Sequence, residues 1–256
     1  MKINIEKAKE EFIKYTEKYN LEEPHIKNKQ EHSLRVMERA KEIAKKLQLN
    51  KEDIELATLI GLLHDIARFE QYTKYKTFVD RKSIDHGNLG AEIIEKEIRK
   101  YIETNEYDEI IKKAIKNHNK FAVEEKLTPR EELHAKIIRD ADKLDIFYEA
   151  VNIFNKGQEE EIGKEKISKQ MVEQFEKQKP IHKTGQEWEK GILNKNIVII
   201  AFIYDMNYKL SFEILKKEDY INKIIQRYNI QDKYSKEQMG KIKKEANKYI
   251  ENKIIE

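Results

Sequence analysis

The chain has 256 residues, 39% hydrophobic and 39% charged, with 51 Lys and Arg against 48 Asp and Glu and no cysteine. That length can bury a sizeable core; interspersed charges offer no polybasic block for an obligatory nucleic-acid partner; and the lack of thiols excludes disulfides, thiolate metal ligands and a cysteine nucleophile. With only 8 Gly and 3 Pro there are few turn residues for a sheet protein, so an all-α fold is expected.

Residues 4–19 read as a first amphipathic helix with Ala8, Phe12, Tyr15 and Tyr19 on its apolar face, and Pro24 marks the break after it. The second helix is expected from about Lys29 to Leu47. His32, Val36, Ala40, Ile43 and Leu47 form one stripe along it. Asn50 caps a third helix, with Asp53 at its third position. From Ala57 to Leu63 this helix is apolar nearly all round, and it ends on the pair His64-Asp65. A charged Asp there is costly unless something pairs with it.

Residues 68–83 show no clean period. Four aromatics interleaved with five cations suit either a surface loop or a strip that stacks a base and holds phosphates. Arg68, whose planar fork can take two oxygens at once, is the first candidate for a phosphate ligand. His86 then lies in phase with Leu89, Gly90 and Ile93, and Gly87 and Gly90 allow close approach of a neighbour or a substrate. A short helix over Asp108 to His118 carries Ile111, Ala114 and Ile115 and ends on His118. Thr128-Pro129-Arg130-Glu131 combines a capping box with proline at the first helical position and starts the helix that carries Asp142.

Beyond Ala150, Asn155-Lys156-Gly157 predicts a break, Ile162 to Phe175 a helix, and Lys179-Pro180 its end. Ile197 to Tyr204 is rich in β-branched residues, yet the helical alternation of Trp188 to Leu193 and Tyr208 to Leu215 on either side makes it a buried helix. Charged amphipathic helices complete the chain. The longest apolar run falls far short of the roughly 20 residues that span a bilayer. Met1 to Glu6 reads as the approach to a charged helix rather than a secretory leader, so a cytoplasmic location is expected.

Helical phase points His32, His64, His86, His118 and Asp142 inward, the last being four residues from both Ile138 and Ile146. A lone histidine on an apolar stripe is most often bonded to a carbonyl. Together, four inward histidines with Asp65 and Asp142 would fill a core badly, whereas a metal gives each a partner. His25, His134 and His182 fit no stripe shared with this set.

His32, then His64-Asp65, then Ala141-Asp142-Lys143-Leu144 resembles the H…HD…D signature of the HD-domain superfamily of metal-dependent phosphohydrolases. His86 and His118 are similar to the two extra ligands of its binuclear members. The resemblance covers roughly residues 28–150. It implies an HD-like helical bundle as the core; the chain's length suits one domain spanning 1–256, in which residues 151–256 form a helical extension that inherits nothing from the signature.

The resemblance also implies two divalent ions, drawn from Fe, Mn, Co, Zn or Mg given all-nitrogen-and-oxygen ligands. His32, His64, Asp65 and Asp142 would hold one, and Asp65, His86 and His118 the other. The expected reaction is hydrolysis of a phosphate ester or anhydride, of a nucleotide above all, by a metal-bridging hydroxide. Asp65 takes part, with Arg68 and Lys143 steadying developing charge; Lys143 could instead pair with Asp140. Two other readings are a mixed-valence di-iron oxygenase, as some members of the superfamily are, and a nucleotide-binding regulator without turnover. A metal core of purely structural importance is a further one.

Overall fold

The computed structural model describes residues 3–181, 188 and 190–256, and no strand occurs among them. The expected all-α class is the one adopted. The chain divides into two compact units, Met1–Asp142 and Lys143–Glu256.

In the first unit the helices are α1 (Ile5–Thr16), α2 (Pro24–Lys46), α3 (Lys51–Leu63), α4 (Ala67–Tyr75), α5 (His86–Glu97), α6 (Asp108–Asn117) and the start of α7 (Pro129–Asn152). Their ends follow from local chemistry. Asn4, Asn50 and Asp85 each accept the backbone N–H three residues on, at 3.0, 2.9 and 2.9 Å. At α7 the expected capping box closes: Thr128 donates its N–H to Glu131 Oε2 at 2.8 Å, and the Glu131 N–H reaches Thr128 Oγ1 at 3.4 Å.

Two expectations for this unit need correction. Helix α2 begins at Pro24, not near Lys29, because Pro24 takes the first helical position and Glu23 caps it. His25 is therefore helical. Residues 67–75 also form a helix, α4, which closes at Lys76 in the left-handed region (φ 53°). Its period was hidden because the buried face includes Gln71, whose amide donates to Asp80 Oδ1, Ser83 Oγ and the Ile84 carbonyl at 3.0, 2.9 and 3.0 Å.

Helices α2 and α3 pack against each other, as do α5 and α6, with α1 and α6 on α3 and α4 against α2 and α5. Gly61 lies at the crossing of α2 and α3. A Cβ there would stand 2.9 Å from both Met37 Cα and the Val36 carbonyl oxygen, so only glycine allows α2 and α3 to approach this far.

The second unit contains the rest of α7 and then α8 (Glu159–Gly163), α9 (Lys169–Phe175), α10 (Ile192–Ile200), α11 (Lys209–Lys217), α12 (Tyr220–Gln226) and α13 (Lys233–Ile255). Asn155 (φ 55°) and Gly157 (φ 82°) make the expected break after α7. The single helix expected over 162–175 is instead two, because the backbone between them is recruited elsewhere: Ile167 donates to Ser235 Oγ at 3.0 Å and Ser168 to Asn194 Oδ1 at 2.9 Å. The apolar run from Ile197 is helical, as expected, and tightens into a 3-10 turn at Ala201–Asp205. Among the described residues no helix is long and apolar enough to cross a membrane.

Candidate metal centre

Helix α2 carries His32 inward, fully buried. Helix α3 ends at Leu63, and a tight turn closed by the Ile66 N–H on the Leu63 carbonyl (3.1 Å) sets His64 and Asp65 side by side before α4 starts. His86 is the first residue of α5, His118 follows the last turn of α6, and Asp142 comes from α7. The structure brings all six predicted ligands to one place. His32, His64 and Asp142 each put a ligand atom within 4.8 Å of the others, and so do His64, Asp65 and His118.

The histidine partners determine what each ring offers. His64 Nδ1 lies 2.9 Å from the Gly61 carbonyl, and His118 Nδ1 lies 2.6 Å from the Ile115 carbonyl. His86 Nδ1 lies 2.7 and 2.8 Å from the two Asp80 oxygens. Each of these acceptors requires an Nδ1–H, which leaves a bare lone pair on Nε2. His86 Nε2 and His118 Nε2 nevertheless stand 3.0 Å apart. Two facing lone pairs repel, and a cation between them removes the conflict.

Asp65 divides the cluster. Its Oδ2 faces His32 Nε2 (3.6 Å) and His64 Nε2 (3.7 Å), whereas its Oδ1 faces His86 Nε2 (3.5 Å) and His118 Nε2 (3.4 Å). Oδ1 is buried and receives no hydrogen bond. Asp142 Oδ1 completes the first group, 3.1 Å from His32 Nε2 and 3.6 Å from His64 Nε2. Orphaned carboxylate oxygen, bare imidazole nitrogens and burial together make a donor set that fits divalent cations.

Electrostatics agree. Burial alone would raise the Asp65 carboxyl, but Lys29, His64 and Arg68 hold it well below the usual carboxylate range. Asp142 is likewise held down against its burial by His32 and His64. Burial lowers His64, and burial with Arg68 nearby pushes His86 down to about 3. These two rings therefore take protons more readily in the unfolded chain, where imidazole titrates near 6.5. Metal-free protein should consequently lose thermal stability as pH falls from about 6.5 toward 3. Melting of chelator-treated protein at pH 7.5 and 5.5 checks this; an unchanged midpoint would mean that solvent protons reach both rings in the folded state.

Asp80 anchors the far side of His86 and also accepts from Arg68 Nη1 (3.1 Å), Gln71 Nε2 (3.0 Å) and Asn119 Nδ2 (3.0 Å). Gly87 makes room for Asn119, whose Oδ1 would lie 2.3 Å from a Cβ at that position. Arg68 sits in the wall of the centre: Nη1 donates to Gln71 Oε1 and the Phe78 carbonyl, both at 2.7 Å, while its Nε, 3.4 Å from Asp65 Oδ1, has no acceptor. Lys143 pairs with Asp205 at 2.8 Å.

Three contributors escaped the sequence reading. Lys29 reaches Asp65 Oδ2 at 3.0 Å from one turn before His32 on α2. Asp80 lies where no period guides the eye. Arg139, buried, donates to the carbonyls of Asn117 (2.8 Å), Lys120 (2.5 Å) and Phe121 (3.3 Å), tying down the turn that carries His118. The histidines set aside stay apart from these ligands: His25 is exposed, His134 is bonded to Asp53 at 3.0 Å, and His182 lies outside the described residues.

Comparison with known proteins finds one family model, described as HD domain, matching residues 30–146. No curated protein and no solved structure matches the chain.

Proposed function

We propose, proceeding from the membership of residues 30–146 in the HD-domain superfamily of metal-dependent phosphohydrolases, that this chain hydrolyses a phosphate ester or anhydride of a nucleotide at a two-ion centre. The observation that carries the reading is the split of Asp65, one oxygen toward His32 and His64 and the other toward His86 and His118. A carboxylate so placed can serve two cations at once.

Divalent cations bound there supply Lewis acidity, which acidifies a water and neutralises phosphoryl oxygens. The chain does the rest. Gly61, Ile115 and Asp80 hold three imidazoles in the tautomer that presents Nε2. Arg68, fixed by Gln71, the Phe78 carbonyl and Asp80, offers its guanidinium to the phosphoryl oxygens and so stabilises charge that grows as the P–O bond breaks. Water adds to phosphorus, and the products are inorganic phosphate with the free alcohol, or a nucleotide shorter by one phosphate. Lys143, already committed to Asp205, keeps a structural role in this reading.

The deciding experiment is elemental analysis of protein purified without chelator, followed by phosphate release from a nucleotide panel with the metal found. About two ions per chain and turnover support the proposal. Oxygen uptake with iron and no phosphate release would replace it with an oxygenase. His118→Ala should lower the content from about two ions to about one and abolish most turnover; unchanged content would remove His118 from the centre.

A further inference from the structure

Beside the centre lies a strip of side chains that metal binding does not use. Lys29 Nζ is 3.0 Å from Asp65 Oδ2 and 5.4 Å from the centroid of the Phe78 ring, and the Arg68 guanidinium approaches the same ring at 5.5 Å. Phe78, Tyr72 and His25 form one ring cluster: Tyr72 lies 4.8 Å from Phe78, and His25 lies 4.9 Å from Tyr72 and 6.2 Å from Phe78, with Phe78 and Tyr72 half-buried and His25 exposed. Three aromatic rings thus gather beside Lys29 and Arg68, with His25 at the solvent edge.

The position of Lys29 has a charge consequence. Its ammonium is bonded to the oxygen that His32 and His64 also face. A cation held by those imidazoles takes the same oxygen, which places like charges side by side around one carboxylate with Arg68 as a third. Asp80 already offsets Arg68 at 3.1 Å, so the ammonium beside a bound cation would be the charge an incoming anion offsets, and the Lys29 side chain, 15% exposed, can meet one arriving from solvent. A tetrahedral oxyanion bridging Lys29 and Arg68 is the matching shape.

We propose that Lys29 is a phosphate-binding residue of this centre, and that Phe78, Tyr72 and His25 form a subsite for a flat aromatic leaving group, which selects nucleoside or aryl phosphates over alkyl phosphates. This inference rests on the hydrolase reading and adds to it the residues that choose the substrate. Sequence alone gave Arg68 the phosphate; the geometry pairs it with Lys29, because Arg68 Nη1 already serves three acceptors whereas Lys29 bonds to Asp65. Ring stacking recognises a base by its π-face and needs no hydrogen-bond pattern, so the subsite separates planar from aliphatic groups better than one base from another.

The test uses full-length, metal-loaded protein, with metal content measured for every variant. Equilibrium dialysis gives the affinities for inorganic phosphate, adenosine monophosphate and glycerol 3-phosphate. Lys29→Gln should weaken inorganic phosphate about tenfold with metal content intact. The double variant Tyr72→Leu/Phe78→Leu should lower the preference for adenosine monophosphate over glycerol 3-phosphate about tenfold. A wild-type phosphate affinity in Lys29→Gln, a loss of metal from it, or an undiminished preference in the double variant each overturns the inference. If the wild type hydrolyses phosphate esters while the variants behave in one of those ways, only this inference falls. If the loaded wild type binds no phosphate and releases none, the hydrolase reading falls with it.

Discussion

Asp65→Asn is expected to lower metal content sharply and to reduce phosphate release on the order of a thousandfold, with the helical fold retained. The reason is the division of labour between its two oxygens. An amide keeps one oxygen and replaces the other with an N–H donor, so one histidine group loses its Asp65 oxygen whichever way the side chain turns. If the NH2 points to the Oδ1 side, it donates to the bare lone pair of His86 or His118 and occupies the donor a cation needs. If it points to the Oδ2 side, it faces the Lys29 ammonium, a donor against a donor. Two-ion catalysis contributes several kcal/mol through charge neutralisation, and about 4 kcal/mol corresponds to roughly a thousandfold in rate. Elemental analysis and phosphate release read the two effects, and circular dichroism reads the fold. Full metal content with wild-type turnover in this variant would place the catalytic centre elsewhere.

The second large effect is expected at Arg139. Its guanidinium is buried, and it satisfies carbonyls at and just past the end of α6, where a helix carries partial negative charge and lacks intrahelical donors. Arg139→Met keeps the aliphatic stem and removes every donor. Each buried carbonyl left without a partner costs about 1–3 kcal/mol, and the set about 3–5 kcal/mol after relaxation. For a unit of this size the melting temperature should fall on the order of 10 °C. The loss should also be local to function. His118 is presented by the turn that Arg139 ties down, so affinity for the cation on the His86 and His118 side should drop first, while the His32, His64 and Asp142 group holds its metal. Titration with metal, followed by calorimetry, separates the two. A melting point within about 2 °C of wild type would mean that water replaces the guanidinium without strain.

These two residues also mark what could be read from the residues alone. His32, His64, His86, His118 and Asp142 lie among apolar neighbours at helical spacing, and inward direction follows from phase whatever the tertiary packing. The all-helical class follows equally from few glycines and prolines and long periodic segments. Arg139 shares that phase, four residues past Ala135 and three before Asp142, but phase names no partner. Its partners are backbone carbonyls, which every residue possesses, so nothing in the sequence identifies them. Asp80 lies in a segment whose order comes from Gln71 bridging a turn, and Lys29, although inside the expected helix, is a lysine whose inward reach to Asp65 has no sign in the sequence. The split of residues 162–175 into α8 and α9 was also hidden, because the donors of Ile167 and Ser168 are taken by side chains remote in sequence.

Gly61 has a bearing on which ion the centre prefers. It brings α2 and α3 to a crossing where a Cβ would sit 2.9 Å from Met37 Cα; His32 lies on α2 and His64 directly follows the last residue of α3. The approach of the two helices therefore bears on the separation of His32 Nε2 and His64 Nε2, which is 3.3 Å. Zinc bonds nitrogen at about 2.0–2.1 Å, and magnesium takes oxygen at a similar distance, whereas calcium needs about 2.3–2.6 Å. A methyl group at position 61 wedges the helices apart and widens that separation, which moves preference toward larger ions. The radius of any ion held there would thus be tuned at a residue with no side chain, through the approach of two helices.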